Sequence, residues 1–232
     1  MRLLIFDTET TGLNKTRVIA PDTLTQWPYI VQFSYIVYNL NTHIIEHMND
    51  FIIKLPDHIT IPIESIEIHK ITNEISKNNG IQIEKVLSQF FNDLNLSDKI
   101  IGHNVEFDFN MVRVELMRLI YNLKYSNQER TVFKTNLYSL NNCSNKIECT
   151  MKDSVDLCNI QMINKSGNPY LKFPKLIELH EKLFITKPNG LHNSLNDIII
   201  TLRCYIKLKY NYDIIEYSHI INEMVQKLML NN

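Results

Sequence analysis

No run of apolar residues in the chain approaches the roughly 18 that a membrane span requires. No charge of one sign dominates either: 24 Lys and Arg stand against 25 Asp and Glu. That balance argues against a polybasic, histone-like mode of binding, although a local basic rim is compatible with a neutral total. Cysteine is sparse, with four residues at positions 143, 149, 158 and 204 and no C-x-x-C pair among them. A disulfide framework or a zinc site is therefore not expected, and reduced thiols inside a cell are. The N-terminus opens directly on an apolar, strand-like run, so no signal peptide is expected. The expected setting is intracellular, cytoplasmic or nuclear, with no membrane. There is no internal repeat and no low-complexity block.

What is present is 44% hydrophobic residues in 232, ample for one generous domain. Residues 2–6, RLLIF, read as a short buried strand, and Pro21 and Pro28 place a loop at 14–28. Stretches 29–39 and 43–54 are rich in β-branched and aromatic residues and joined by a short polar link, which predicts a hairpin. Ile83, Val86, Leu87, Phe90, Phe91 and Leu94 recur at helical spacing. A short strand at 99–104 stops at Gly102. Phe109, Val112, Leu116, Leu119 and Ile120 then mark a helix over about 105–121. Residues 122–148 are polar, Asn-rich and weakly periodic, and read as a long excursion. Helices are predicted at 173–184, 193–210 and 215–229. Strands first, then strands alternating with helices, indicate an α/β sheet with helices packed on it.

Three separated segments carry candidate chemistry. In FDTETTGL, Asp7 and Glu9 lie two residues apart on a strand, so their side chains share a face and repel. Asp108 stands near the start of a helix, and His192 and Asp197 fall within GLHNSLND. Four acids and a histidine suffice for a two-metal hydrolase. Mg²⁺ and Mn²⁺ prefer carboxylate oxygens, and a pair of ions about 3.5–4 Å apart clamps the attacking and leaving oxygens of a phosphodiester displacement. A histidine titrates near neutrality and suits proton removal from an attacking water. Each piece also has a plainer explanation. Asp7 and Glu9 could be solvated at a strand end, and Asp108 could simply favour a helix N-terminus. Ser194-x-x-Asp197 fits a capping box, and Asp197 falls off the apolar stripe of Leu195, Ile198, Ile199 and Leu202. A lone His192 is more often structural.

Taken together, FDTETTGL, GHNVEFD and HNSLND resemble, in order and separation, the three motifs of the DEDDh group of DnaQ-like 3′–5′ exonucleases. His192 stands five residues before Asp197, and Asn193 occupies the position where the sister DEDDy group has tyrosine. IHKIT, residues 68–72, is similar to the family's I-H-G-I-T, with Lys70 in place of glycine. Residues 149–158 and 172–184 are similar to segments of exonucleases from large DNA viruses, which adds a host cell as a possible setting. The resemblance covers residues 1 to about 210. It implies an RNase H-like mixed five-stranded sheet, three antiparallel strands then parallel strands, flanked by helices. Residues 1–210 would form this domain, and 211–232 a C-terminal helix packed on it.

The resemblance also implies roles. Asp7, Glu9 and Asp197 would hold the tighter metal, Asp7 would bridge to a second, and Asp108 would act directly or through water. The metals would be two Mg²⁺, with Mn²⁺ able to substitute, and His192 would be the general base. Thr10, Thr11 and Leu13 would touch the terminal nucleotide, Leu13 as a wedge, with Asn104 and Phe107 lining the same pocket. For Phe107 packing is the stronger expectation, and Trp27 is likewise expected to pack on the core. Lys15, Arg17, Arg113, Lys124, Arg130 and Lys134 are candidate backbone contacts, although most read as ordinary solvated charges. The implied reaction releases nucleoside 5′-monophosphates from the 3′ single-stranded end of a nucleic acid, in proofreading, repair or end processing, with a polymerase as a possible partner. DNA is favoured, because DTETTGL is closer to the DNA-directed members. An exoribonuclease is the alternative, and a non-catalytic nucleic-acid-binding module the other class.

Overall fold

In the computed structural model, which describes residues 1–230, the alternation of apolar side chains along the first strand sets the architecture. The strands and helices run β1 (Arg2–Thr10), β2 (Ile30–Asn39), β3 (Ile44–Ile52), α1 (Ile63–His69), α2 (Asn73–Asn79), α3 (Ile83–Leu96), β4 (Lys99–Gly102), α4 (Val105–Tyr121), α5 (Asn127–Asn141), β5 (Ile147–Cys149), α6 (Thr150–Asp153), α7 (Val155–Cys158), β6 (Gln161–Ile163), β7 (Pro169–Leu171), α8 (Leu176–Phe184), α9 (Ser194–Tyr210) and α10 (His219–Met229). Five strands form one sheet in the order β3-β2-β1-β4-β5. β1–β2 and β2–β3 are antiparallel, whereas β1–β4 and β4–β5 are parallel. This is the mixed sheet expected from the sequence. β6 and β7 form a separate two-stranded ribbon.

Successive residues of a strand point to opposite faces. Leu4 and Phe6 enter a core with Phe33, Tyr35, Phe90 and Phe109, supplied by β2, α3 and α4. Phe6 lies 5.2 Å from Phe90 and 5.3 Å from Phe109 between ring centroids, the latter edge-on, an arrangement that adds to the burial term. Leu3 and Ile5 enter the opposite core with Ile36, Tyr38, Ile198, Ile199 and Leu202, the inner face of α9. Each such fully buried side chain contributes about 1.5–3 kcal/mol. Ile221 and Val225 of α10 are buried in this second core. Of the stretch 211–232, residues 231 and 232 lie outside the described residues.

Several elements differ from the sequence-based expectation. β1 extends to Thr10, because Asp7, Thr8 and Glu9 stay in register with Ser34, Phe33 and Gln32, and the ladder breaks only at a bulge between Glu9 and Thr10. The paired carboxylates are therefore inside the sheet and not beyond its end. The excursion at 122–148 contains a 15-residue helix, α5, opened by a capping box in which Ser126 and Glu129 bond each other's backbone. It packs by Phe133 and Leu140, both buried. β5, the fifth strand, follows it. The segment before α3 holds two short helices, α1 and α2, and Lys70 caps α1 in the left-handed conformation (φ 65°). That is the position where the resembling motif has glycine, the residue that adopts this conformation most easily. All four cysteines are free. Among the described residues no helix is long and apolar enough to cross a membrane.

Candidate active site

The strand face that buries Leu3 and Ile5 under α9 continues outward as Asp7 and Glu9, and α9 meets it there with Asp197 in its first turn. One carboxylate oxygen from each of Asp7, Glu9 and Asp197 lies within 4.8 Å of the others. No Lys or Arg forms an ion pair with any of the three among the described residues. Asp197 Oδ1 is buried with no hydrogen-bond partner, a costly state for a carboxylate oxygen that lacks a cation. Oxygen-only donors at this spacing are the ligand set of a hard divalent cation, and the orphaned oxygen fits the same conclusion. The cluster could hold a metal ion.

Asp108 approaches from the opposite face. Thr8, whose side chain points toward α4, donates from both its backbone N–H (3.0 Å) and its Oγ1 (2.8 Å) to Asp108 Oδ1. Asp108 thus stands outside the tight trio, yet close enough to interact with Asp7 and Asp197. Burial, then the charges of Asp108, Asp197 and Glu9, push the Asp7 carboxyl well above the usual carboxylate range. Burial, then Asp197 and Asp108, raise Glu9 to about 8. Burial raises Asp108 to about 7 against the pull of the Thr8 bonds. Burial raises Asp197 to about 7 against the pull of the His192 N–H. Without a cation the centre holds protons that isolated carboxylates would have lost.

The start of α9 differs from the capping box expected at Ser194. Asn193 is the N-cap and accepts from the Asn196 N–H at 3.3 Å. Ser194 is instead buried, with its Oγ 2.6 Å from Ser34 Oγ and its N–H donating to Gln32 Oε1 at 3.2 Å. Asp197 is left to the acidic centre, where its Oδ2 accepts the His192 N–H at 3.2 Å. His192 is in the left-handed region (φ 69°) and exposed. Its side chain is therefore in solvent at the rim of the cluster, not packed into the fold.

Beyond Glu9 the chain turns at Gly12, whose φ of +146° favours glycine. Thr10 Oγ1 donates to Gly12 O at 2.6 Å, and Thr11 Oγ1 accepts from the Tyr29 N–H at 3.0 Å. Both threonine hydroxyls thus serve the turn. Leu13 projects outward, 82% exposed. Asn104 caps α4 in the left-handed conformation (φ 68°) and is exposed, whereas Phe107 is partly buried on the core. Asn104, Phe107, Asn14, Arg17 and Asn110 share a groove of about 340 Å³. Trp27 forms part of its wall but is 4% exposed, with Nε1 bonded to Val18 O, so it packs as expected. Of the six candidate cations, Arg17 reaches this groove. Arg113 is held by Asn110 and Asn141. Lys124 lies over Tyr125, and Arg130 and Lys134 line a hollow beside Tyr121.

Several positioning residues were not singled out in the sequence. Gln32 and Ser34 seat the start of α9, and Thr8 holds Asp108. Their signal was polarity at alternate positions of apolar strands. His103, inside GHNVEFD, joins Thr150 Oγ1 (3.0 Å) to the Pro174 carbonyl (3.0 Å). Burial holds its pKa down at about 4, so the neutral ring donates from Nε2 to that carbonyl and accepts at Nδ1. Gly102 beside it admits no side chain, because a Cβ there would lie 2.9 Å from Val105 Cβ.

Comparison with known proteins places this geometry. The exonuclease family profile of the RNase T type matches residues 4–205. No curated protein matches the chain. Among solved structures, the chain is similar to Escherichia coli Exonuclease I in complex with a dT13 oligonucleotide, at 18% identity and a TM-score of 0.59, over 89% of this chain and 41% of that one. It is similar to the moderately thermophilic Exonuclease I from Methylocaldum szegediense at 16% identity and a TM-score of 0.59, over 93% and 42%. At such identity the likeness is one of fold, and this chain spans less than half the length of those proteins. The viral affinity of 149–158 and 172–184 rests on the sequence alone. With its acidic trio on the central strand and α9, and with a family match over nearly the whole sheet and its helices, the chain belongs to the RNase T family of exonucleases.

Proposed function

We propose that the protein is a metal-dependent 3′–5′ exonuclease that removes nucleoside 5′-monophosphates from DNA ends, acting inside the cell. The observation that carries this reading is the convergence of Asp7, Glu9 and Asp197 oxygens within 4.8 Å, with no ion-paired Lys or Arg among the described residues to offset them. The DNA-directed form of the first motif supports the choice of substrate, and a polymerase is the partner the resemblance suggests.

Asp7, Glu9 and Asp197 would hold a divalent cation, Mg²⁺ or Mn²⁺, with Asp7 shared toward a second ion that Asp108 helps to hold. Bound there, such ions supply Lewis-acid stabilisation of the charge that develops on the phosphoryl and leaving oxygens. The protein does the rest. His192, exposed at the rim, takes the proton from the attacking water. Its N–H bond to Asp197 ties the base to the carboxylate it works beside. Leu13, projecting from the turn after Gly12, wedges against the terminal base, while Asn104 and Phe107 line the groove that seats the nucleotide. The buried bonds from Thr8, Gln32 and Ser34 keep Asp108 and the start of α9 in place, which keeps the orientation cost of reaction low.

The test is a 5′-labelled single strand of DNA and its RNA counterpart, incubated with Mg²⁺, with Mn²⁺ and with EDTA. A ladder shortening from the 3′ end is expected only with metal. It should be lost in Asp7→Ala and slowed about 10²–10⁴-fold in His192→Ala, the usual range for a general base. Faster loss of RNA would make the protein an exoribonuclease. Binding of both strands with no cleavage under any metal would make it a binding module and remove the catalytic roles.

A further inference from the structure

The ribbon β6–β7 is solvent-exposed throughout, and among the described residues pairs with no other strand. Two-stranded ribbons are marginal alone and commonly keep a reason for standing out. This one exposes apolar groups that water does not favour: Ile163 is 72% exposed, Tyr170 47%, and Phe173, two residues past β7, 56%. Its charge is one-sided. Between Asp156 and Glu178 there is no carboxylate, while Lys165, Lys172 and Lys175 fall in the same stretch. Lys172 is paired with Glu178 at 2.6 Å, and Lys165 and Lys175 are exposed.

Its position is also fixed. Lys172 N–H bonds the Ile160 carbonyl and closes the base of the ribbon. Phe173 directly precedes Pro174, whose carbonyl accepts from His103 Nε2. His103 adjoins Asn104, the cap of the helix that carries Asp108. The ribbon therefore springs from the same sheet end at which β1 delivers Asp7 and Glu9, since β1 and β4 are parallel and both end there. A polyanion whose end is drawn into four carboxylates needs cations and stacking surfaces just upstream. Exposed aromatics interleaved with lysines are the means by which proteins hold single strands without reading sequence.

We propose that the β6–β7 ribbon with Phe173 is a platform for the single-stranded nucleic acid immediately upstream of the nucleotide being removed, with Phe173 stacking on a base and Lys165 and Lys175 meeting phosphates. This rests on the exonuclease reading for its substrate, but its test does not depend on cleavage. Binding of a fluorescent oligothymidylate is measured in EDTA by anisotropy for the wild type, Phe173→Ala and a Lys165→Gln/Lys175→Gln pair. All the changes are at exposed positions, and thermal melting verifies that each variant is folded. Phe173→Ala should weaken binding about tenfold, within the range for loss of one stacked base. The lysine pair should flatten the dependence of log Kd on log salt by about 0.7 per lysine. Hydrolysis of the p-nitrophenyl ester of thymidine 5′-monophosphate, too small to reach the ribbon, should be unchanged in all variants. Unchanged oligonucleotide affinity in Phe173→Ala, with the salt slope also unmoved, overturns the platform. So does a wild-type dimer in light scattering that Phe173→Ala converts to monomer, which would make the ribbon a contact between copies. Failure of the exonuclease reading shows differently, as a wild type that cleaves neither the ester nor the oligonucleotide with metal.

Discussion

A buried acid and a half-buried acidic trio lie on either side of this sheet, and the protein treats them in opposite ways. On the α4 side, Glu115 is buried and meets Arg118 at 2.6 Å. The same guanidinium donates to the carbonyls of Leu24, Trp27 and Pro28 and lies 3.6 Å from the centroid of the Tyr29 ring. Burial pushes Glu115 up, and Arg118 and the Ile30 N–H pull it back, with burial the larger influence. Both terminal nitrogens of that guanidinium are hydrogen-bonded, and the loop between β1 and β2 is fastened to α4. On the α9 side, Asp7, Glu9 and Asp197 face one another, and among the described residues no Lys or Arg pairs with them and one oxygen has no hydrogen-bond partner. The fold supplies a guanidinium to Glu115, and among the described residues to none of the three half-buried carboxylates.

The comparison breaks most visibly at Arg118. Arg118→Met leaves Glu115 buried without its cation and strands three carbonyls, and should cost about 3–5 kcal/mol. Chemical denaturation checks the number. At the acidic centre the opposite sign is expected. Asp197→Asn removes a repelling charge and should raise the melting temperature measured in EDTA, while Asp7→Ala should lower nuclease activity at least about 10²–10³-fold. A fall in metal-free stability in Asp197→Asn would mean that the trio is a structural network like the Glu115 pair.

The pH response sharpens the contrast. Glu9, at about 8, and Asp108 and Asp197, at about 7, hold protons in the folded state that the unfolded chain releases near pH 4. Their contribution is full below about pH 4 and lost as pH rises through about 7–8. In EDTA the melting temperature should therefore decline across this window, and added Mg²⁺ should restore more at pH 8 than at pH 5. Scanning fluorimetry with and without metal at both values decides it. The smallest effect belongs to Lys70. Lys70→Gly relieves a left-handed lysine at the end of α1 and should stabilise by about 0.5–1 kcal/mol, seen as a rise of a few degrees in melting temperature.

The residues of the candidate site were more legible than the elements around them. Asp7, Glu9, Asp108, His192 and Asp197 each sit in a short contiguous motif, and alternation along one strand explains the first pair. What the strand pattern did not reveal is that Asp108 reaches the centre from the other face, through Thr8. That fact depends on which helix covers which face. The capping-box reading of Ser194 failed for a similar reason: Gln32 and Ser34, more than 150 residues away, take up the serine. Helix α5 was missed because polar residues outnumber its few inward-facing apolar ones, although the Ser126–Glu129 capping pattern was present to be read. The β6–β7 ribbon was missed because it buries nothing, and periodicity reports burial.

The bond between Ser34 and Ser194 spans 160 residues. It follows that this cluster cannot assemble until α9 has been made, long after the strands it meets. The antiparallel strands and even the second motif emerge from the ribosome well before the segment that brings His192 and Asp197. Contacts between such distant parts form late and slowly. A chain cut short before α9 would carry Asp7 and Glu9 on its sheet without Asp197, and its acidic cluster would be incomplete.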